Sequence, residues 1–259
     1  MVSMKKHNAI ITENFGSHAS AYLTSATHAV GEDLDRLGAI LREYPEASFL
    51  DMGCGAGHVS YAAAPHVRRV TAYDLSGQML EVVAKAAEER GVTNLETRQG
   101  VAESLPFADA SFDVVASRYS AHHWHDIGKG LREAARVLKP GGLFIAIDVA
   151  SPGYPVLDVF LQTVELLRDT SHVRDYAPSE WLGFIQEAGL SLKDLFAFRI
   201  RHDFAAWTER MATPEPLVQA IRELQKRASE EVARYFAFEE DGSFSDDVIM
   251  LQAVKGMHP

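Results

Sequence analysis

The chain of 259 residues has a single cysteine, Cys54, so no internal disulfide can form and a reducing compartment is expected. Basic residues are scarce: Lys and Arg number 25 against 36 Asp and Glu, a formal net charge of −11. That speaks against nucleic acid or an anionic membrane as a partner, since both need a basic face. The adjacent pairs Lys5-Lys6 and Arg68-Arg69 read as solvated surface. No apolar run approaches membrane-spanning length, and Met1 to Ile11 lacks the apolar core of a signal peptide. Internal repeats and low-complexity tracts are also missing. These absences predict a soluble, unexported, cytoplasmic protein with no nucleic-acid partner and no membrane insertion. A hydrophobic content of 47% and a charged content of 24% are those of a globular chain, long enough for one large α/β domain with insertions or a core with a small lid.

What the chain does have is Phe49-Leu50-Asp51-Met52-Gly53-Cys54-Gly55-Ala56-Gly57-His58. A short apolar run ends in an acid, three glycines alternate with small residues, and a helix-compatible segment follows from Val59 to Ala64. This is the pattern of a buried strand, a turn that glycine fits, and a helix N-terminus whose unpaired N–H groups suit an anionic group. Asp74 closes the next apolar run, about 20 residues on, where βαβ nucleotide sites keep an acid for ribose hydroxyls. The spacing G-x-G-x-G departs from the dinucleotide pattern G-x-G-x-x-G, which disfavours a pyrophosphate loop and leaves a nucleoside. Cys54 reads as a small residue that fits this loop, with no base beside it to make it a nucleophile.

Along the chain, residues 5–45 read as helical, with Val30, Leu34, Leu37, Ile40 and Leu41 on one face and Glu32, Asp33, Asp35 and Arg36 on the other. Strand and helix patterns then alternate. Strands are predicted at 49–52, 69–74, 95–99, 112–117 and 143–149, with Ser76 and Asp126 as N-caps and Gly91 as a helix stop. Five βα units imply a parallel, doubly wound sheet. Beyond residue 150, helices are predicted at 156–167 and 178–188 and strands at 195–204 and 244–254. Between those strands, Leu217, Ile221, Leu224, Ala228, Val232 and Tyr235 form one amphipathic stripe, read either as core packing or as a lid.

Together these pieces resemble the class I S-adenosylmethionine-dependent methyltransferases, and within them the ubiquinone/menaquinone-biosynthesis-type group. Four motifs carry the likeness: Leu50 to Gly57; Tyr73-Asp74-Leu75-Ser76-Gly77-Gln78-Met79-Leu80; Gly100 to Phe107 running into Ser111 to Val115; and Arg136-Val137-Leu138-Lys139-Pro140-Gly141-Gly142. They span roughly residues 48–149; Phe15 and Ala19 to Tyr22 match more loosely, and 150–259 carries no motif. The resemblance implies a Rossmann-like α/β fold: a doubly wound, seven-stranded, mostly parallel sheet with an antiparallel final strand and a helical cap. It divides the chain into a helical leader or cap (1–45), a cofactor-binding core (46–150) and a C-terminal part of the same domain carrying cap helices and the last two strands (151–259).

The resemblance also implies roles. Gly53, Gly55 and Gly57, with Cys54 among them, let the methionine part of S-adenosylmethionine approach the backbone, and Asp51 lies beneath its amino group. Asp74 accepts from the ribose hydroxyls, with Leu75 and Met79 around the nucleoside. Ala102 and Glu103 border the adenine beside Val101, which stands where family members often carry Asp. Ser117, Arg118 and Tyr119 lie beside the sulfonium and the methionine carboxylate. Methyl transfer from a sulfonium needs alignment above all, and a general base only where the acceptor must lose a proton. His123, Arg118 and Tyr22 are the candidates for acting on the acceptor or a carboxylate. No metal is expected, because the adjacent histidines of His122-His123-Trp124-His125 rarely converge on one point. The reaction implied is methylation of oxygen, carbon or nitrogen on a small organic acceptor, by a monomer or homodimer. Two rivals stay open: a silent binding protein of the same fold, and an NAD-dependent oxidoreductase.

Overall fold

The structure is a computed structural model and describes residues 6–16 and 31–257. Its centre is one sheet of seven strands in the order β3-β2-β1-β4-β5-β7-β6. In chain order these are β1 (Ser48–Met52), β2 (Arg69–Asp74), β3 (Leu95–Gln99), β4 (Phe112–Arg118), β5 (Leu138–Ala150), β6 (Leu190–His202) and β7 (Phe244–Lys255). Strand β7 alone runs against its neighbours β5 and β6; every other pairing is parallel. The order reverses between β1 and β4, the place where open α/β sheets bind ligands at the carboxyl ends of their strands.

Side chains alternate across the sheet, and that alternation builds two cores. Leu50, Met52, Val115, Phe144, Ala146, Ile249 and Leu251 pack on one face, and Phe49, Val114, Ala116, Ile145, Ile147, Val248 and Met250 on the other. The first face is covered by Ile127, Leu131, Trp181 and Ile185, the second by Leu34, Leu37, Leu41, Val59 and Ala63. The helices are α1 (His7–Gly16), α2 (Glu32–Leu41), α3 (His58–Ala63), α4 (Gly77–Glu89), α5 (Ile127–Val137), α6 (Pro155–Arg168), α7 (Pro178–Glu187), α8 (Phe204–Glu209), α9 (Glu215–Arg227) and α10 (Glu230–Tyr235). The two predicted caps are in place: Ser76 Oγ accepts from Met79 N–H at 3.3 Å, and Asp126 Oδ1 from Lys129 N–H at 2.8 Å. Helices α6 and α8 to α10 share a separate core around Leu161, Trp207, Ile221 and Phe236, which makes the cap.

Several expectations need correction. The helical reading of residues 5–45 is met at α1 and α2, with Gly31 extended before α2; Tyr22 lies outside the described residues. Asp33 is not on a solvent face: it is 2% exposed and ion-paired with Arg118. The stripe from Leu217 to Tyr235 is two helices, because Ala228 and Ser229 are extended and the Ser229 hydroxyl caps α10. Strand β6 begins at Leu190, directly after Gly189 turns at φ +77°, and ends before Phe204, where Asp203 caps α8. Strand β5 takes up the chain already at Leu138. Among the described residues no helix is long and apolar enough to cross a membrane.

Candidate functional site

The carboxyl ends of β1, β2 and β4 open into a cleft with about 1060 Å³ of empty space. Helix α1 lies along it, contributing Asn8, Ile11 and Phe15 to the lining. It is pinned there by His7 Nε2, 3.0 Å from the His123 carbonyl, by the Phe15 ring edge-on to His123 at 4.9 Å, and by Asn14 donating to Asp169 at 2.9 Å.

The glycine turn forms the floor. Gly53 and Cys54 donate their N–H groups to the Tyr73 carbonyl at 2.8 and 3.0 Å, tying the turn to β2. Gly55 has φ +50° and no atom within 4 Å of where a Cβ would stand, so its backbone faces open cleft. Gly53 also has positive φ, and a Cβ there would overlap the Ser120 hydroxyl. Gly57 is set back from the cleft: it starts α3 at φ +86°, and a Cβ would meet the Tyr61 ring at 2.9 Å. Cys54 packs on Ala72, Leu80 and Val83; burial, with Asp74 and Asp51 nearby, pushes its thiol well up, so the nucleophilic thiolate is suppressed.

Two acids flank the turn, Asp51 buried and Asp74 half-buried. Asp51 Oδ2 accepts from the Ser60 hydroxyl at 2.6 Å, whereas Oδ1 has no hydrogen-bond partner. Burial, opposed by the Ser60 bond and reinforced by the Asp74 charge, raises Asp51 from 3.8 to about 7. Asp74 accepts from Gly55 N–H through Oδ2 and from Ser76 N–H through Oδ1, both at 2.8 Å. Burial also raises Asp74, against those two bonds. Leu75, Met79, Val101, Ala102 and Glu103 continue the wall. The Tyr73 hydroxyl fixes that loop by donating to the Val101 carbonyl at 2.9 Å. Glu103 is partly committed, since its Oε1 takes the N–H groups of His125 at 2.8 Å and Asp126 at 3.3 Å.

At the end of β4, Arg118 lines the cleft while its guanidinium pairs with Asp33 and lies 4.6 Å from the Tyr119 ring centroid. Ser117 sits behind the wall, 2% exposed, with its hydroxyl unpartnered. Tyr119 follows at φ +48°, a conformation costly for a residue with a side chain. A second pocket adjoins the first, with about 640 Å³ of empty space that runs out into open solvent, and Phe15, Tyr119 and His123 belong to both. Its remaining walls include His122, Asp175, Ile200, Trp207, Met211 and Val248. The two histidines differ sharply. Burial and the neighbouring charge of His122 lower His123, whose Nδ1 is 3.2 Å from the Ser171 carbonyl. Burial opposes charge on His122 too, yet Asp148 Oδ1 at 2.5 Å raises it to about 9.

The family model of the methyltransferase domain matches residues 50–146, the stretch that builds this cleft. YafE of Escherichia coli is 57% identical over 203 residues, which is 78% of this chain and 98% of that protein. YcgJ of Bacillus subtilis, described as a methyltransferase, is 37% identical over 246 residues, 93% of this chain and 97% of that one. The crystal structure of YcgJ superposes with a TM-score of 0.81 at 36% identity, covering 86% of this chain and 98% of that one. The chain belongs to the class I methyltransferases. A ubiquinone/menaquinone biosynthesis C-methyltransferase, UbiE of Brucella anthropi, is 32% identical over 167 residues, 61% of this chain and 64% of that protein, in keeping with the ubiquinone/menaquinone-biosynthesis-type group.

Of the residues singled out in the sequence, the methyltransferase cleft gathers Asp51, Gly53, Cys54, Gly55, Asp74, Leu75, Met79, Val101, Ala102, Glu103, Arg118 and His123, and leaves Gly57 and Ser117 out of its lining. Sequence reasoning missed Asp33, Asp148 and Asp175. The signal for Asp148 was present as an acid inside the otherwise apolar run Leu143 to Val149, since a charge in a central buried strand demands a partner. Asp33 follows a helical surface pattern, and Asp175 sits in a segment without pattern; neither gave a signal.

Proposed function

We propose that this chain transfers a methyl group from S-adenosylmethionine to a small organic acceptor. The observation that carries the reading is the pairing of the open backbone at Gly55 with the unpartnered, buried Asp51 Oδ1. A ligand fitting both must lie flat against the turn and bring a hydrogen-bond donor to Asp51, as the amino-acid part of S-adenosylmethionine does. When bound, the cofactor supplies a methyl carbon on a positively charged sulfur, open to displacement by a nucleophile. Asp51 would hold the ammonium. Asp74, kept in place by Gly55 and Ser76, would accept from the ribose hydroxyls with its remaining lone pairs. Leu75 and Met79 would flank the nucleoside, and Val101, Ala102 and Glu103 the adenine.

The second cavity suits the acceptor, because it meets the first at Tyr119, His123 and Phe15. Holding nucleophile, methyl and sulfur in line there can be worth ~7–11 kcal/mol. His123, uncharged through burial, would orient the acceptor at this junction, and Arg118 would lie beside the methionine carboxylate. The cofactor side is tested by calorimetric titration with S-adenosylhomocysteine, with NAD in parallel. Saturable binding of S-adenosylhomocysteine alone is expected; binding of NAD alone would overturn the reading in favour of hydride transfer. A silent binding protein is separated by turnover: release of S-adenosylhomocysteine in the presence of acceptors is expected here and absent there.

A further inference from the structure

Three segments far apart in sequence meet beside the second cavity. His122 comes from the short turn after β4, Asp148 from β5, and Asp175 from the loop between α6 and α7. One ligand atom from each lies within 4.8 Å of the other two. Each is held in advance. The Asp148 carboxylate takes N–H groups from Ala121 and Val149, both at 3.0 Å; its Oδ1 is also 2.5 Å from His122 Nδ1, a direct contact that an ion held by both residues would replace. Gln162 grips the backbone of Asp175 on both sides, donating to its carbonyl at 2.8 Å and accepting from its N–H at 3.0 Å.

Most of the acids buried around this point have partners. Arg168 pairs with Glu165 at 3.2 Å, Asp169 takes bonds from Asn14 and Ser171, and Asp246 meets His202 at 3.0 Å through Oδ2, although its Oδ1 is unpartnered. Asp175 is different. Its Oδ2 is buried with no hydrogen-bond partner, the residue is 1% exposed, and the nearest ring nitrogen, His172 Nε2, stands 3.8 Å away. A carboxyl oxygen carried that deep without a partner is costly unless something binds it.

We propose that His122, Asp148 and Asp175 form a binding site for a divalent transition-metal ion. One imidazole with two carboxylates is a donor set for manganese, iron or zinc rather than for softer, thiolate-seeking ions. Three protein ligands with a further position left open is also the arrangement of metal sites that act on a substrate. Here the open side is the second cavity, which His122 and Asp175 both line. The ion would tie the α6–α7 loop to the sheet and present a coordination position to an oxygen or nitrogen of whatever occupies that cavity. The site stands independently of the cofactor reading and goes beyond it.

The test is calorimetric titration of the full chain, stripped with chelator, with manganese chloride and with zinc chloride, alongside its melting midpoint with and without each ion. Saturable binding of one ion and a raised midpoint are expected in the wild type. In Asp175→Asn, which keeps the side-chain shape, binding should weaken by more than the roughly 10–100-fold that loss of a ligand's outer partner brings. No saturable binding of either ion to the wild type overturns the proposal, and so does equal affinity in Asp175→Asn. Should Asp175→Asn fail to melt cooperatively, His122→Gln is read by the same criteria.

Discussion

The Ser60 hydroxyl donates to Asp51 Oδ2 at 2.6 Å and leaves Oδ1 buried without a partner in a residue that lines the cleft. Helix α3, started by Gly57, brings Ser60 under β1, so the sequence that shapes the turn also orients the acid.

That arrangement makes ligand binding pH-dependent. Burial lifts Asp51 from 3.8 to about 7, so the ligand-free fold favours the protonated form. The stability this contributes is full below pH 3.8 and is lost as pH rises through about 7. A ligand ammonium needs the charged form. The affinity for S-adenosylhomocysteine should therefore rise from pH 6 to 8 and flatten above, with proton release on binding at the acid end. In Asp51→Asn it should be weaker by roughly 1–3 kcal/mol and flat across that range. Calorimetry in buffers of different ionisation enthalpy reads both, and a wild-type affinity that ignores pH would remove Asp51 from the ammonium.

Asp74 serves two loops, accepting from Gly55 and from Ser76. Asp74→Ala should weaken S-adenosylhomocysteine binding by roughly 1–3 kcal/mol, the cost of a charge-assisted bond. Asp74→Asn keeps the shape but puts a donor where one N–H now binds, so it should rescue little. Wild-type affinity in Asp74→Ala would refute the ribose assignment.

The glycines separate by what surrounds them. A side chain at Gly55 enters open cleft, so Gly55→Val should abolish S-adenosylhomocysteine binding, while its positive φ costs only about 1–2 kcal/mol of stability. At Gly53 the added Cβ runs into Ser120, whose hydroxyl also accepts from Trp124 Nε1 at 3.1 Å, so even Gly53→Ala should lower the melting midpoint. Intact ligand binding in a folded Gly55→Val variant would end the argument that a ligand lies on this backbone.

How far this could be read from sequence depends on distance along the chain. The sheet was legible because short, nearly continuous apolar runs such as Leu143 to Val149 mark buried parallel strands locally, and the cleft because its turn residues are contiguous. Caps at Ser76 and Asp126 are also local, three residues from the N–H they bind. The break at Ala228–Ser229 was hidden, because a helical stripe continues through it and only the Ser229 cap interrupts the backbone. The pairings Asp33–Arg118 and His122–Asp148–Asp175 join residues on separate elements, and nothing in the spacing of one announces the other.

The sequence points to Arg118 as a residue for a carboxylate ligand, and the buried pair with Asp33 gives it a second duty. Both side chains are nearly fully buried, at 5% and 3% exposure, so removing the guanidinium leaves an uncompensated carboxylate between α2 and β4. Arg118→Ala should therefore cost about 3–5 kcal/mol of stability, as breaking buried pairs does. Arg118→Ala combined with Asp33→Asn should recover a large part of that loss, because the stranded charge is gone. If Arg118 also meets the methionine carboxylate, the double variant will regain its melting midpoint and still bind S-adenosylhomocysteine weakly. Recovery of stability and affinity together would make Arg118 a strut for α2 and no more, since a ligand contact cannot be restored by changing a residue on the far side of the guanidinium.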